Sequence, residues 1–253
     1  LHNFSLVHDD IEDASPTRRG RQTMWQIWGI EQAINTGDAM FAFAHLAMNR
    51  LIERGVAAAI VVQALRRFDE TCVRLTQGQH ADMDFEKRTE VGVAEYMAMI
   101  EGKTAVLVSL STELGARIAG ADEDTIAHYT QFGLDLGLAF QVKDDILGIW
   151  GDESLTGKSA ATDIITKKKT LPVLYGLEQS KALRQLYLQP AADEAFVREA
   201  IQILNACGAR AFTQNHASAY SEGAVEQLQA AQPSGSAAVA LQTLTEMLLQ
   251  RNA

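Results

Sequence analysis

The chain has 253 residues, of which 47% are hydrophobic and 21% are charged, and its formal net charge at pH 7 is −10. This is the composition of an ordinary globular protein, and the acidic balance argues against nucleic-acid binding, because one short basic run, residues 167–169, is not a basic stripe. No stretch of about 18 uninterrupted apolar residues predicts a membrane span. Cys72 and Cys207 lack metal-type spacing, so they predict neither a disulfide framework nor a zinc site and favour the reducing cytoplasm.

Apolar positions at helical spacing, with plentiful alanine and leucine, predict an all-α fold: one domain over 1–253, with about nine or ten helices. In chain order the predicted helices cover 1–13, 30–54, 56–78 with a continuation that breaks near 89–92, 93–100, 101–119 with a kink at Gly102, about 122–147, a restart at 170–172, 193–206, 208–231 and 236–251. The chain opens without methionine and inside an apolar helical pattern, so we expect further residues upstream.

Two polar segments interrupt the helices. Residues 14–22 (ASPTRRGRQ) predict a loop because they contain Pro16 and Gly20. Residues 148–169 form the longest predicted irregular segment. A structureless stretch of that length in a compact domain is usually functional, so we expect a lid.

The first predicted helix ends in LVHDDIED (6–13). Residues i and i+4 share a helix face, so Asp9 and Asp13 present their carboxylates together, with Asp10 beside them. Such a cluster needs a positive partner. Mg²⁺, which takes one or two carboxylates and keeps waters or phosphate oxygens, is one candidate. A solvated helix end or an arginine partner is the alternative.

A second cluster follows another apolar helix in QVKDDILGIWGD (141–152). Asp144 and Asp145 match the leading pair of the first cluster, but Gly148 stands where the third aspartate would be. Two carboxylate clusters with nearby lysines and arginines suit a diphosphate–metal complex, in which metals bridge carboxylate to phosphate and basic side chains neutralise the remaining charge.

The motifs together resemble the trans-isoprenyl diphosphate synthase (polyprenyl synthetase) family. The resemblance covers nearly the whole chain and rests on six ordered stretches: LVHDDIEDASPTRRGRQT (6–23), GQHADMDF (78–85), GKTAVL (102–107), FQVKDDILGIWGD (140–152), TGKSAATDI (156–164) and KKKTLP (167–172). It implies a bundle of antiparallel helices around a central cavity, usually a homodimer, and a Mg²⁺-dependent transferase of isoprenoid biosynthesis.

The implied reaction condenses isopentenyl diphosphate head-to-tail with an allylic diphosphate. Metals and basic residues draw diphosphate off the allylic substrate, the alkene attacks the resulting cation, and a proton is lost to the departing diphosphate. In this family the upstream helices carry a Gly-Lys-Arg element that helps to hold isopentenyl diphosphate.

The resemblance also implies the metal ligands. Asp9 and Asp13 would ligate two Mg²⁺ ions with Asp10 supporting them, and Asp144 would ligate a third with Asp145 behind it. If Asp144 does most of the ligation, the i+4 position can be spared. We then expect Asp144→Ala to abolish turnover, and Gly148→Asp to be tolerated because Gly148 would only end the helix.

The remaining roles belong to basic and polar side chains. The resemblance implies that Arg18, Lys103, Lys158 and Lys168 bind the allylic diphosphate and that Arg19 binds that of isopentenyl diphosphate. Arg18 and Arg19 are adjacent and cannot easily point at one small group, which agrees with two diphosphates. Thr104 and Gln141 would face the developing carbocation beside the catalytic Lys103, and Gln79 and Asp82 form the GQxxD element.

Product length should depend on the side chains one helical turn before Asp9, which are Phe4 and Ser5. An aromatic followed by a small residue, with no insertion in DDIED, resembles a C20 geranylgeranyl diphosphate synthase. The C15 farnesyl diphosphate synthase is the alternative.

Three rivals are weaker. The RRG stretch and the second acidic motif argue against a class I terpene cyclase, and five remaining aspartates argue against a non-catalytic partner subunit of a heteromeric prenyl synthase. A di-iron bundle would need Glu-x-x-His pairs, which the sequence lacks.

Overall fold

The structure, a computed structural model, describes residues 1–151, 161–189 and 193–249. The all-α prediction is confirmed, apart from one short hairpin. In chain order the elements are α1 (His2–Glu12), β1 (Thr17–Arg18), β2 (Arg21–Gln22), α2 (Met24–Trp28), α3 (Ile30–Asn49), a 3₁₀ turn (Ile52–Arg54), α4 (Ala58–Lys87), α5 (Val93–Ile100), a π-helical turn (Glu101–Ala105), α6 (Val106–Ile118), α7 (Glu123–Trp150), α8 (Thr162–Ile165), α9 (Leu171–Gln179), α10 (Lys181–Tyr187), α11 (Glu194–Ala206), α12 (Ala209–Ala230) and α13 (Gly235–Leu249).

The chain comprises two compact units, Leu1–Asp69 and Glu70–Ala253, and the boundary falls inside α4. Within the described ranges, no helix is both long and apolar enough to cross a membrane. A single domain over 1–253 stays a prediction.

In the first unit, α1 packs against α3. A Cβ atom added at Gly37 would lie less than 3.0 Å from the His8 ring, so glycine at this position lets the imidazole lie directly on α3. His8 therefore has a packing contact. Its place directly before the aspartates does not by itself indicate a chemical role.

The composition of residues 14–22 predicted a loop, but the segment contains a short hairpin of two strands with two residues each. Thr17 pairs with Gln22 and Arg18 with Arg21, and Arg19 and Gly20 form the turn with φ angles of 52° and 74°. Two-residue hairpin turns with positive φ at both positions match the twist of the strands. The hairpin thus fixes the direction in which each of the two adjacent arginines leaves the backbone.

In the second unit, α6 and α12 pack along α7. The Asp122 carboxylate caps α7 by accepting a hydrogen bond from the backbone N–H of Thr125 at 2.8 Å, as an N-terminal aspartate commonly does. Buried side chains of α7, including Phe132 and Leu136, pack with Leu228 of α12. The helix carrying the second acidic cluster is therefore held by packing on more than one side.

A close backbone crossing lies between α4 and the π-helical turn. A Cβ atom at Gly78 would lie less than 3.0 Å from the backbone nitrogen of Lys103, and one at Gly102 would lie 3.1 Å from the carbonyl oxygen of Arg74. Gly78 does not end a helix, because α4 continues through it to Lys87. Glycine at this position instead allows the close backbone contact. The kink predicted at Gly102 is a π-helical turn, a form often found at functional sites.

Candidate active site

The first acidic cluster lies at the end of α1 and holds Arg18 of the hairpin. The Arg18 Nη2 atom donates to Asp9 Oδ2 at 2.7 Å, and its Nε donates to Asp10 Oδ1 at 2.6 Å. Burial disfavours the guanidinium charge, but the hydrogen bonds and charges of Asp10 and Asp9 outweigh it and raise the pKa of Arg18. The arginine partner considered from the sequence is therefore present, and it offsets the repulsion among the carboxylates.

The other two predicted residues of this region are exposed. Asp13 is the residue directly after α1, and its backbone N–H donates to the Asp9 carbonyl oxygen at 2.9 Å. Arg19 occupies the hairpin turn and is exposed, while Arg18 is half-buried. The structure brings Asp9, Asp10 and Arg18 together and leaves Arg19 exposed in the turn, and the assignment of the two arginines to two diphosphates stays a prediction.

In the second cluster, the two adjacent aspartates of α7 differ sharply. Asp145 is 2% exposed, and its carboxylate accepts three hydrogen bonds: from the Tyr96 hydroxyl at 2.6 Å, from Leu171 N–H at 3.1 Å and from Gln141 Nε2 at 3.2 Å. Asp144 is half-buried and makes no side-chain hydrogen bond or ion pair with any described residue. Asp144 is therefore the carboxylate available to a ligand, while Asp145 is used by the protein.

Burial raises the pKa of Asp145 to about 7, although the hydrogen bonds from Tyr96, Leu171 and Gln141 act in the opposite direction. All three neighbours are donors, which is the environment of a carboxylate rather than a carboxylic acid. Burial, together with the Asp145 charge, also raises the pKa of Tyr96, so its hydroxyl stays protonated and donates.

The π-helical turn presents two predicted catalytic residues. Lys103 Nζ donates to Asp82 Oδ2 at 2.5 Å, so the GQxxD element orients this lysine. The Thr104 hydroxyl donates to Gln141 Oε1 at 3.0 Å, so these two residues are in direct contact. Their predicted role beside the carbocation stays a prediction.

The three lysines of the basic run 167–169 differ in their hydrogen-bond partners. Lys167 Nζ donates to the carbonyl oxygens of Tyr187 and Gln189, and Lys169 Nζ donates to those of Phe85 and Arg88. Both thus bind carbonyl groups at or beyond helix C-termini, where a cation is favourable. Lys168 is exposed and has no side-chain partner among the described residues, so it is the lysine of the run that is free to bind a diphosphate. Lys158, the other predicted lysine, lies outside the described residues.

Gly148 proved to have a different meaning from the one predicted. The helix does not end there, because α7 continues to Trp150, and a Cβ atom at Gly148 would lie less than 3.0 Å from the Asp163 carboxylate. Asp163, from the segment TGKSAATDI, therefore lies where the side chain of a third aspartate would begin, one turn after Asp144. Its charge contributes to the raised pKa of Asp145. Asp152, which follows Gly148 by four residues and is the next aspartate in the motif, lies outside the described residues.

This contact reverses the expectation for Gly148→Asp. We expect the variant to destabilise the protein by roughly 1–3 kcal/mol, the usual cost of forcing a side chain into occupied space, and to lower kcat because Asp144 lies one helical turn away. The new carboxylate would also repel Asp163. Steady-state kinetics measures the loss, and the double variant Gly148→Asp/Asp163→Gly should recover part of it. A single variant with wild-type kcat would contradict the steric reading.

The predicted product-length residues lie at the start of α1. The Phe4 ring packs against Phe41 of α3, with centroids 5.0 Å apart, and Phe41 in turn lies 6.2 Å from Phe68. His45 contacts Phe41 and Phe68 and receives support from Asp69, 2.8 Å from its Nε2. Ser5 only donates a hydrogen bond to the His2 carbonyl oxygen. Phe4 is thus one ring of an aromatic cluster that also contains His8, Phe41, His45 and Phe68, and the sequence did not reveal these contacts.

The acidic residues fit Mg²⁺ in their chemistry. Within the described ranges, no group of three or more His, Cys, Asp or Glu side chains forms a ready-made metal site. Such a cage is not what Mg²⁺ requires, because it binds through one or two carboxylates and completes its shell with water and phosphate oxygens. Asp144, whose side chain has no partner in the part of the chain that the structure describes, suits this way of binding Mg²⁺.

Sequence comparison places the chain among the prenyl synthases. The polyprenyl synthetase family model matches residues 1–204. A geranylgeranyl diphosphate synthase of Mycobacterium tuberculosis is 45% identical over 196 residues, which cover 76% of this chain and 55% of that protein. A short chain isoprenyl diphosphate synthase of Methanothermobacter thermautotrophicus is 36% identical over 254 residues, covering 99% of this chain and 77% of that protein.

Structural comparison agrees. The crystal structure of a geranylgeranyl pyrophosphate synthetase from Pyrococcus horikoshii has a TM-score of 0.92 and 34% sequence identity, and the match covers 99% of this chain and 76% of that one. The chain spans only about half the length of some relatives: 55% of the M. tuberculosis protein above and 47% of a (2E,6E)-farnesyl diphosphate synthase of Mycobacterium bovis. With its ordered motifs, its helical fold and the match over residues 1–204, the chain belongs to the polyprenyl synthetase family.

Proposed function

We propose that this protein is a Mg²⁺-dependent prenyltransferase that condenses isopentenyl diphosphate with an allylic diphosphate to give a short trans-polyprenyl diphosphate. The observation that carries the proposal is the difference between the two adjacent aspartates of the second cluster in their hydrogen-bond partners. Asp145 accepts three hydrogen bonds from the protein, while its neighbour Asp144 makes no side-chain hydrogen bond or ion pair with any described residue. In a chain of this family, that ligand is a Mg²⁺–diphosphate complex.

The acidic residues would hold the metals. Asp9 and Asp13 would bind two Mg²⁺ ions with Asp10 behind them, and Asp144 would bind a third. Mg²⁺ supplies Lewis-acid neutralisation of the negative charge that develops on the leaving diphosphate. Since Arg18 contacts Asp9 and Asp10, it can move from these carboxylates to a phosphate group without leaving the cluster.

The basic residues would bind the two diphosphates. Lys103, Lys158 and Lys168 join Arg18 on the allylic diphosphate, and Arg19 binds that of isopentenyl diphosphate. Lys103 is oriented by Asp82, and Lys168 is the exposed member of its run, which supports their assignment.

The bond changes balance without a further reactant. The C–O bond to the allylic diphosphate breaks with both electrons leaving on oxygen, and the alkene of isopentenyl diphosphate forms the new C–C bond. The resulting cation loses a proton to the released diphosphate. The protein stabilises charge and orients the alkene, with Thr104 and Gln141 near the allylic cation.

The product is expected to be C20 geranylgeranyl diphosphate, with C15 farnesyl diphosphate as the alternative. The relatives include both a geranylgeranyl and a farnesyl diphosphate synthase, so they support a product of C15 or C20 but do not decide between the two. The choice rests on Phe4 being followed by Ser5 rather than by a second aromatic residue.

Phe4→Ala should lengthen the main product by at least one C5 unit, because it removes the ring that packs against Phe41. Chromatography of the dephosphorylated products after reaction with each primer measures the change. Trp28→Ala is the control, since Trp28 is also aromatic but is 58% exposed, and it should leave the product unchanged. An unchanged product from Phe4→Ala would mean that Phe4 does not limit chain length.

We further propose a cytoplasmic homodimer. Exposed apolar side chains along α3, with Phe43 at 65%, Leu46 at 50% and Ile34 at 43% exposure, support self-association. The cytoplasmic location rests on the sequence, which contains only two cysteines, Cys72 and Cys207. Light scattering after size-exclusion chromatography measures the mass of the assembly, and a monomer at micromolar concentration would contradict the dimer.

The deciding experiment uses the full-length protein. It is incubated with isopentenyl diphosphate, Mg²⁺ and, separately, the C5, C10 and C15 allylic diphosphates, and we expect elongation of at least one primer to C20. Omitting Mg²⁺ should stop the reaction. If no primer is elongated, the synthase assignment fails and a non-catalytic partner subunit becomes the better description.

A further inference from the structure

A buried tyrosine outside the family motifs quoted above ends a chain of hydrogen bonds that reaches the proposed reaction centre. Tyr96 of α5 is 2% exposed, and its hydroxyl donates to Asp145 Oδ2 at 2.6 Å, the short distance typical of a charge-assisted bond. Asp145 Oδ1 accepts from Gln141 Nε2, and Gln141 Oε1 accepts from Thr104. The chain therefore runs from Tyr96 through Asp145 and Gln141 to Thr104.

This chain has a fixed direction. An ionised carboxylate only accepts hydrogen bonds, so Gln141 must turn its NH₂ group towards Asp145. Its carbonyl oxygen then faces Thr104, whose hydroxyl donates to it at 3.0 Å. If the amide were reversed, two oxygens would oppose each other at Asp145. The orientation of the Gln141 amide thus depends on the hydrogen bonds that Asp145 accepts.

The Asp145 carboxylate is held asymmetrically. Two donors, the Tyr96 hydroxyl and Leu171 N–H, share Oδ2, and Gln141 alone takes Oδ1. Leu171 N–H belongs to the first turn of α9 and is placed by the backbone, so Tyr96 is the side chain that completes this pair. Its ring packs in the core with Met99 and Val142, which fixes where the hydroxyl points.

We propose that Tyr96 is a positioning residue, which through Asp145 holds the Gln141 amide with its carbonyl oxygen towards Thr104 and the allylic cation. The proposal rests on the function proposed above. The amide carbonyl oxygen and the Thr104 hydroxyl oxygen both carry partial negative charge, so together they stabilise a cation that develops beside them. Tyr96 itself does not touch the substrate.

The first test is Tyr96→Phe, which keeps the ring and removes only the hydroxyl. We expect kcat to fall about tenfold, as for loss of roughly one hydrogen bond to a charged group, while KM for both substrates stays within about twofold. Tyr187→Phe is the matched control. Tyr187 is half-buried and its hydroxyl oxygen is buried, but this hydroxyl has no hydrogen-bond partner among the described residues, so its removal should leave kcat unchanged.

A double-mutant cycle separates positioning from a general loss of packing. In a Gln141→Ala background, Tyr96→Phe should lower kcat less than twofold further, because the group that it positions is already gone. A tenfold loss in both backgrounds would overturn the proposal, as would wild-type kcat for Tyr96→Phe alone. If the wild-type protein elongates no primer, the proposed function fails instead, and the two failures are therefore distinct.

Asp145→Asn provides an independent variant should Tyr96→Phe not fold. The two donors at the Oδ2 position would hold the asparagine oxygen there, which places its NH₂ group opposite Gln141 and forces the amide to turn over. We expect kcat to fall about as far as in Gln141→Ala, with less than twofold further loss in the double variant. Fully multiplicative losses would overturn the positioning role.

Discussion

Asp144→Asn should lower kcat about a thousandfold, because a carboxylate that carries a catalytic metal contributes several kcal/mol to the transition state and each 1.4 kcal/mol is a factor of ten. The amide keeps the size of the side chain and removes its charge. Since Asp144 makes no side-chain hydrogen bond or ion pair with any described residue, the substitution disrupts no protein contact there. The loss should therefore appear in kcat and in the Mg²⁺ concentration needed for half-maximal rate, and not in the melting temperature.

The matched control is Asp124→Asn, which removes an exposed carboxylate from the first turn of the same helix. It should leave kcat unchanged and cost at most about 1 kcal/mol of stability through the helix dipole. Steady-state rates over a Mg²⁺ titration, with thermal unfolding of both variants, provide the comparison. If Asp144→Asn retained a third of wild-type kcat, the second cluster would not bind the metal through this residue.

Gly78→Ala should destabilise the protein by about 3 kcal/mol, near the upper end of the usual cost of overpacking. The added methyl group would meet the backbone of Lys103, not a flexible side chain, so α4 and the π-helical turn must separate. A loss of this size corresponds to a fall in melting temperature of about 10 °C for a chain of this length. Lys103 and Thr104 lie on the turn that moves, so kcat should fall as well.

Gly115→Ala is the control for this substitution. Gly115 also lies inside a helix, α6, but an added Cβ atom would meet nothing within 4 Å. Alanine should there stabilise the protein by about 0.5–1 kcal/mol, the ordinary gain in helix propensity. Thermal and urea unfolding of the two variants should shift in opposite directions, and a shift in the same direction would show that the backbone crossing is not tight.

The long helices were predictable from sequence because their apolar periodicity extends over many turns. The predicted helix over 93–100 coincides with α5, and α11 and α12 begin and end within one residue of their predicted bounds. Three short helices, α2, α8 and α10, were not predicted, because four to seven residues are too few to show a period. The hairpin was missed for the same reason, since strands of two residues cannot alternate.

The roles of single residues were less predictable than the motifs. Adjacent aspartates look alike in a sequence, and only burial and partners distinguish Asp144 from Asp145. Gly148 suggested the end of a helix, because the sequence does not show that Asp163, fifteen residues later, occupies the space beside it. Tyr96 carries no local signal at all, since a tyrosine on an apolar helix face is indistinguishable from a core residue until its hydroxyl partner is known.

The π-helical turn at Glu101–Ala105 also adjusts helical phase. Tyr96 and Thr104 are eight residues apart, and at about 100° per residue an uninterrupted α-helix would place them about 80° apart around its axis. The wider turn absorbs one extra residue and reduces this offset to about 20°. Both side chains can then reach Asp145 and Gln141, which stand four residues apart on one face of α7. If the same residues formed a regular α-helix without the wider turn, Thr104 would rotate out of register with Tyr96, so the extra residue of the turn is part of the geometry of the site.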